Sequence, residues 1–130
     1  MKIFTNNLQL IFKLSNICLI ILYIYPGSIL GFLLYNDFSS QFQITRDFFH
    51  ISSNHIYAFS LISILGIFSS KTKKKLFVYL VCLSIVLEFF HLVIPNRSFQ
   101  IGDLNGNLLG VIIPFLIYKV YEILFQTKKK

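Results

Sequence analysis

The stretch EFFHLVIPNRSFQIGDLNGNLLG, residues 88–110, decides how this chain is read. It places Glu88, His91, Arg97, Asp103, Asn107 and Gly110 at the junction of two strongly apolar segments. Segments apolar enough to cross a bilayer tolerate such side chains poorly, so each one needs a physical reason. Glu88 and His91 are three apart and share one face of a helix. Pro95 ends that helix, and Glu88 lies ~10 Å before it at the helical rise. That depth puts the carboxylate inside the hydrocarbon or at its boundary.

The rest of the chain supports a membrane setting. Apolar residues make up 55% and charged residues 13%, and mean hydropathy is +0.71. With fifteen Phe and no Trp in 130 residues, the surface of this single domain must face something other than water. The net charge of +7 does not point to nucleic acid, because the positives sit in short clusters between apolar runs and form no basic stripe. Cys18 and Cys82 lie within apolar runs, show no metal or redox spacing, and are expected to stay unpaired. The first apolar run lacks a small-x-small cleavage site and is not expected to be a cleaved signal peptide.

Four apolar segments emerge, predicting an all-α polytopic membrane protein with four transmembrane helices at about 8–25, 54–68, 76–94 and 103–124. An alternative first span, Leu14–Tyr35 kinked at Pro26-Gly27, is set aside because Pro-Gly breaks a helix and leaves Ser28–Tyr35 as an interfacial stretch. The second span is short and needs snorkelling flanks or a thinned bilayer. Pro114 interrupts the fourth. With four spans, Lys2, Lys13, Lys71, Lys73, Lys74, Lys75, Lys119, Lys128, Lys129 and Lys130 all fall on one side, and Arg46 and Arg97 on the other. That is a positive-inside pattern with both termini cytoplasmic; Lys13 must snorkel. The polar, aromatic-studded stretch 36–53 reads as a loop on the outer interface.

Each polar residue at the junction has a plain role and a sharper one. Glu88 either pairs with Arg97 or His91, or serves as an acid, base or ligand in an outward cavity. Arg97 either pairs with Asp103 or Glu88, or grips a phosphate at the outer leaflet with its planar fork. Asp103 opens the fourth segment as an N-cap. Asn107 lies one turn on and suits a hydrogen bond to a neighbouring helix. Gly102, Gly106 and Gly110 form a small-xxx-small series, favoured for packing within the bundle over a face for a second copy or another membrane protein. His55 gains interest from lying on the same outer side as Arg97 and Asp103, whereas His50 reads as interfacial. Glu88, His91, His55 and Asp103 suit a single metal in ligand type, but a di-iron site needs a second Glu-x-x-His. The expectation is a site with no metal and no cofactor. No triad order, nucleophile elbow or phosphate-cradling Gly loop occurs.

These residues resemble the VanZ-like family. Its pattern is a His near the start of helix two, Glu-x-x-Gln late in helix three, then Pro-x-Arg, Asp and Asn-x-x-Gly. His55 with Ala58-Phe59, Glu88, Pro95-Asn96-Arg97, Ser98-Phe99, Asp103 and Asn107-Leu-Leu-Gly110 match it over roughly residues 51–118. His91 stands where the family has Gln, and Ile51-Ser52 stand where it has Asp-Lys. The resemblance implies a cell-envelope membrane protein; the founding member is associated with resistance to a lipid-tailed glycopeptide antibiotic.

Three functions follow as expectations. The preferred one is binding of an anionic lipid or lipid-linked saccharide at the outer leaflet of the bacterial cytoplasmic membrane. Arg97 would hold the anion, Asp103 and Asn107 would shape the site, and Glu88, His91 and His55 would form its floor. The second is an enzyme that breaks a lipid-linked phosphate or acyl bond, with Glu88 and His91 as acid and base. The third is a non-catalytic subunit of a larger membrane complex. For topology, an engineered Cys at Ser40 should react with a membrane-impermeant thiol reagent from outside, and one at Thr72 only after permeabilisation. The reverse labelling would overturn the orientation.

Overall fold

The computed structural model describes residues 2–126, with side chains for 6–125. Lys128–Lys130, part of the orientation argument, lie outside the described residues. Five helices follow one another: α1 (Lys2–Ile24), α2 (Ile29–Tyr35), α3 (Ser53–Ser69), α4 (Lys73–Phe90) and α5 (Ile101–Gln126). Among the described residues there is no strand, only an isolated bridge between Phe48 and Ile51. Backbone groups that face hydrocarbon must pair within their own segment, and helices satisfy that demand.

The four long helices alternate in direction. Gln9 near the start of α1 bonds the Ser69 carbonyl at the end of α3 (3.2 Å), and Lys73 at the start of α4 lies over the Tyr118 ring late in α5. Tyr23 near the end of α1 meets His55 at the start of α3 at the other end of the bundle. Helix α3 is central: it packs most extensively on α5, and also on α1 and α4. Phe59, Leu80 and Val111 are wholly enclosed at these crossings.

Inside and outside are inverted relative to a water-soluble bundle. Among the described residues, nine apolar side chains are buried, against eight polar ones: Asn16, Ser53, Ser63, Ser69, Ser84, Glu88, His91 and Asn107. The outer surface instead carries Leu10, Leu14, Ile17 and Ile21 on α1 and Leu116, Ile117, Val120 and Leu124 on α5. Apolar surface on that scale marks contact with something other than water. Among the described residues, two helices are long and apolar enough to cross a membrane, Asn6–Ile24 and Ile101–Phe125. Ser53–Ser69 is apolar but shorter, and three lysines open α4.

Several expected boundaries move. Helix α1 starts before residue 8, and α4 ends at Phe90 rather than at Pro95, with turns filling the gap. Pro114 sits inside a continuous α5; bundle neighbours tolerate such a proline in an apolar helix. Asp103 is not the N-cap of α5. The helix begins at Ile101, because the Gln100 carbonyl already accepts the N–H groups of Asp103 and Leu104 (3.1 Å each). Asp103 therefore lies in the first turn, where a carboxylate still suits the helix dipole.

The segment 25–52 is more ordered than an interfacial loop. Ser28 caps α2 by accepting the Gly31 N–H (2.9 Å), and Phe32 stacks on Phe38 at 4.2 Å. Asp47 accepts the Ser53 N–H (3.0 Å) at the start of α3. Phe49 and His50 both adopt positive φ, 47° and 61°, between the bridged residues Phe48 and Ile51. Two such residues in a row make a tight primed-type turn, which sterics disfavour for bulky side chains. It presents Phe49, 81% exposed, at the rim.

The glycine series is occupied within the chain. A Cβ on Gly102 would fall 2.2 Å from the His50 carbonyl oxygen, on Gly106 2.6 Å from that of Ser52, and on Gly110 2.6 Å from that of Ile56. This stripe is the seat of α3 and of the turn before it, so it is not free to receive a second copy. Gly106→Leu should lose about 1–3 kcal/mol of stability in detergent unfolding, while Ile117→Leu on the outer face should lose almost none. Equal stability of the two variants would contradict the α3–α5 seat.

Candidate functional site

The site forms where the end of α1, the start of α3, the end of α4 and the start of α5 converge. Four helix ends bring unpaired backbone groups to one place, and the polar side chains there answer to them. Tyr23 is the hub. Its ring stacks on His91 (5.8 Å) and meets His55 edge-on (5.1 Å). Its hydroxyl donates to Asn107 Oδ1 at 2.6 Å.

Proton positions follow from which partners can only accept. The Ser84 carbonyl takes the Asn107 Nδ2–H (3.4 Å), so the amide oxygen faces Tyr23 and His55. That oxygen can only accept, and His55 Nδ1 lies 2.9 Å from it. Neutral His55 therefore carries its proton on Nδ1. Its Nε2 is bare and faces Asp103 Oδ2 at 3.7 Å.

His91 is set in the opposite sense. Its Nε2 lies 3.1 Å from the Tyr23 carbonyl oxygen and must donate. Nδ1 then faces Glu88 Oε1 at 3.4 Å. Glu88 is 0% exposed. Its Oε1 also accepts the Gln100 N–H (3.0 Å), while its Oε2 has no hydrogen-bond partner. One ligand atom each from His55, Glu88 and Asp103 lie within 4.8 Å of one another.

Arg97 does something the sequence did not suggest. Its Nε donates to the Tyr25 carbonyl (3.3 Å), and its Nη2 to the carbonyls of Leu22 (3.1 Å) and Gly27 (2.6 Å). Together with His91 it caps the C-terminus of α1, where a cation is favoured. Among the described residues no ion pair joins Arg97 to Glu88 or Asp103, and its Nη1 makes no hydrogen bond. Burial lowers the guanidinium below its ordinary value, but an arginine remains charged. Lys73 caps α3 at the other end of the bundle through the carbonyls of Ile67 and Ser70.

A cavity of about 290 Å³ opens beside the hub. Leu19, Leu22, Leu30 and Leu61 wall it, and Tyr23, His55, His91 and Arg97 form its polar side. Of the expected site residues, His55, Glu88, His91, Asp103 and Asn107 come together, with Glu88 and Asn107 beneath the polar surface. Arg97 reaches the cavity wall, and the exposed His50 stays at the rim.

The profile of one family, VanZ/LLP1, matches residues 2–125, nearly the whole chain. The chain belongs to the VanZ/LLP1 family. No curated protein and no solved structure matches it. The two long apolar helices and this membership together indicate association with a membrane. Two residues of the resemblance gain a physical role, since Arg97 of Pro-x-Arg and His91, which replaces the family's Gln, both hold the end of α1. Tyr23, in the least informative helix, is what the sequence reading missed. Its one signal was a hydroxyl in an apolar run, which seeks a partner when buried.

His91→Gln keeps an N–H donor within reach of the Tyr23 carbonyl and should fold like the parent. His91→Leu strips that buried carbonyl and should lose about 1–3 kcal/mol in thermal or detergent unfolding. Equal stability of the two variants would show that His91 does not cap α1.

Proposed function

We propose that this protein spans the bacterial cytoplasmic membrane four times, with both termini in the cytoplasm, and binds the anionic head group of an envelope lipid or lipid-linked saccharide at the outer leaflet. The observation that supports this most is the cavity, with leucines on its walls and Tyr23, His55, His91 and Arg97 on its polar side. An amphiphile needs that division, and few precisely placed polar groups in an apolar pocket are what small-ligand sites share. The volume holds on the order of ten water-sized groups. That admits a phosphate and the first carbons of a chain, with the rest of the chain in the bilayer. Arg97 Nη1 supplies a donor; Glu88, Asp103 and Asn107 hold the imidazoles in place. The clustering of the lysines on one side of four alternating helices supports the four-span topology.

A second reading is an enzyme that cleaves or transfers a phosphate or acyl bond of the same lipid. It is favoured by the bare His55 Nε2 and the unpartnered Glu88 Oε2, two bases close to the cavity. Turnover that disappears in a folded Glu88→Gln variant would move the assignment to this reading.

The binding test uses the full chain in lipid nanodiscs, with a polyprenyl phosphate and the matching neutral polyprenol as probes. The phosphate should bind at least about 10-fold more tightly, and Arg97→Lys, which loses the free Nη1 donor, should cut its affinity by about 10-fold, as expected when a hydrogen bond to a charged group is lost. Equal binding of phosphate and alcohol would contradict the anionic-ligand reading.

A further inference from the structure

We infer that His55 Nε2, Glu88 Oε2 and the Asp103 carboxylate form a binding site for one divalent metal cation at the polar side of the cavity. The inference goes beyond lipid binding and does not require it. One ligand atom from each of His55, Glu88 and Asp103 already lies within 4.8 Å of the other two. Bonds of ~2.0–2.2 Å to nitrogen and carboxylate oxygen are reached by inward shifts of under about one ångström.

Two independent features single out these atoms. The first is Glu88 Oε2. The side chain is fully enclosed, its other oxygen is held by the Gln100 N–H, and Oε2 has no partner. A buried carboxylate oxygen without a donor is costly, and a cation removes that cost. The second is the orientation of His55. Metal-bound histidines donate their second N–H to a fixed acceptor, which sets the tautomer and ring direction. Here Asn107 Oδ1 is that acceptor at 2.9 Å, and Ser84 and Tyr23 fix Asn107 in turn. The support behind a metal-binding imidazole is thus in place.

Charge leads to the same conclusion. Two carboxyl groups, those of Glu88 and Asp103, meet here, and the three hydrogen bonds of Arg97 run to carbonyls on α1 and just beyond it. No cationic side chain pairs with Asp103 or with Glu88 Oε2 among the described residues, apart from the imidazoles themselves. One imidazole and two carboxylates suit zinc, manganese or ferrous iron over a soft-metal site. Three protein ligands leave a fourth coordination position for a ligand or water.

The test is metal binding by the full chain in detergent, stripped with a chelator and then titrated with Co²⁺ and Zn²⁺ alone. One Co²⁺ per chain should bind with a ligand-field absorption band that Zn²⁺ abolishes. Glu88→Gln and Asp103→Asn should each weaken Co²⁺ at least 100-fold, and His50→Ala, at the rim, should leave it unchanged. The half-exposed Asp103 keeps the test valid if Glu88→Gln does not fold. Binding that is absent, or equal in wild type and Asp103→Asn, overturns the site. Metal binding with no preference for polyprenyl phosphate would keep the site and reject the lipid reading.

Discussion

Burial of the Glu88 carboxylate is the constraint on which the rest of this structure rests. Enclosing a carboxylate costs several kcal/mol unless charge and hydrogen bonds compensate. Compensation comes from two directions at once. His91, one turn further on, brings its Nδ1 to 3.4 Å from it. The Gln100 N–H from the start of α5 donates to it. Meeting both demands folds the segment 91–100 back over the bundle and sets where α5 begins. That in turn leaves Asp103 in the first helical turn, facing His55, instead of capping its own helix.

The same logic orders α1. Its last carbonyls end at the polar end of the bundle and need donors. Arg97 and His91 supply them. A guanidinium and an imidazole that first look like ligand groups are therefore also structural caps. Each keeps one face toward the cavity, so structure and candidate binding draw on the same side chains. Tyr23 then closes the arrangement by joining α1 to α3 and α5 through one hydroxyl. The polar interior and apolar exterior follow from this division, because helices in lipid gain little from burying more hydrocarbon.

Much of this was legible in the chain itself. The cost of an intramembrane charge flagged Glu88, His91, Asp103 and Asn107, and spacing placed Glu88 beside His91 correctly. Hydropathy gave the four long helices, and small residues gave the face of α5 that α3 occupies. The rest depended on information that residue spacing does not carry. Arg97 was expected to seek a carboxylate or phosphate, but the nearest acceptors are the carbonyls of Leu22, Tyr25 and Gly27, some seventy residues away in sequence. The start of α5 moved because a side chain on another helix binds the Gln100 N–H. Tyr23 was invisible because one tyrosine in an apolar run resembles any other. The Phe49-His50 turn has none of the Gly or Asn that normally announces positive φ; packing against Gly102 holds it instead.

Which nitrogen of His55 carries a proton is decisive, since the proposed cation site needs a bare Nε2. Nitrogen-15 NMR of ring-labelled histidine, on metal-free protein in nanodiscs, reads this directly, with His55→Ala assigning the signal. The expected result is a neutral ring protonated on Nδ1 with Nε2 unprotonated. A proton on Nε2, alone or together with one on Nδ1, would contradict it.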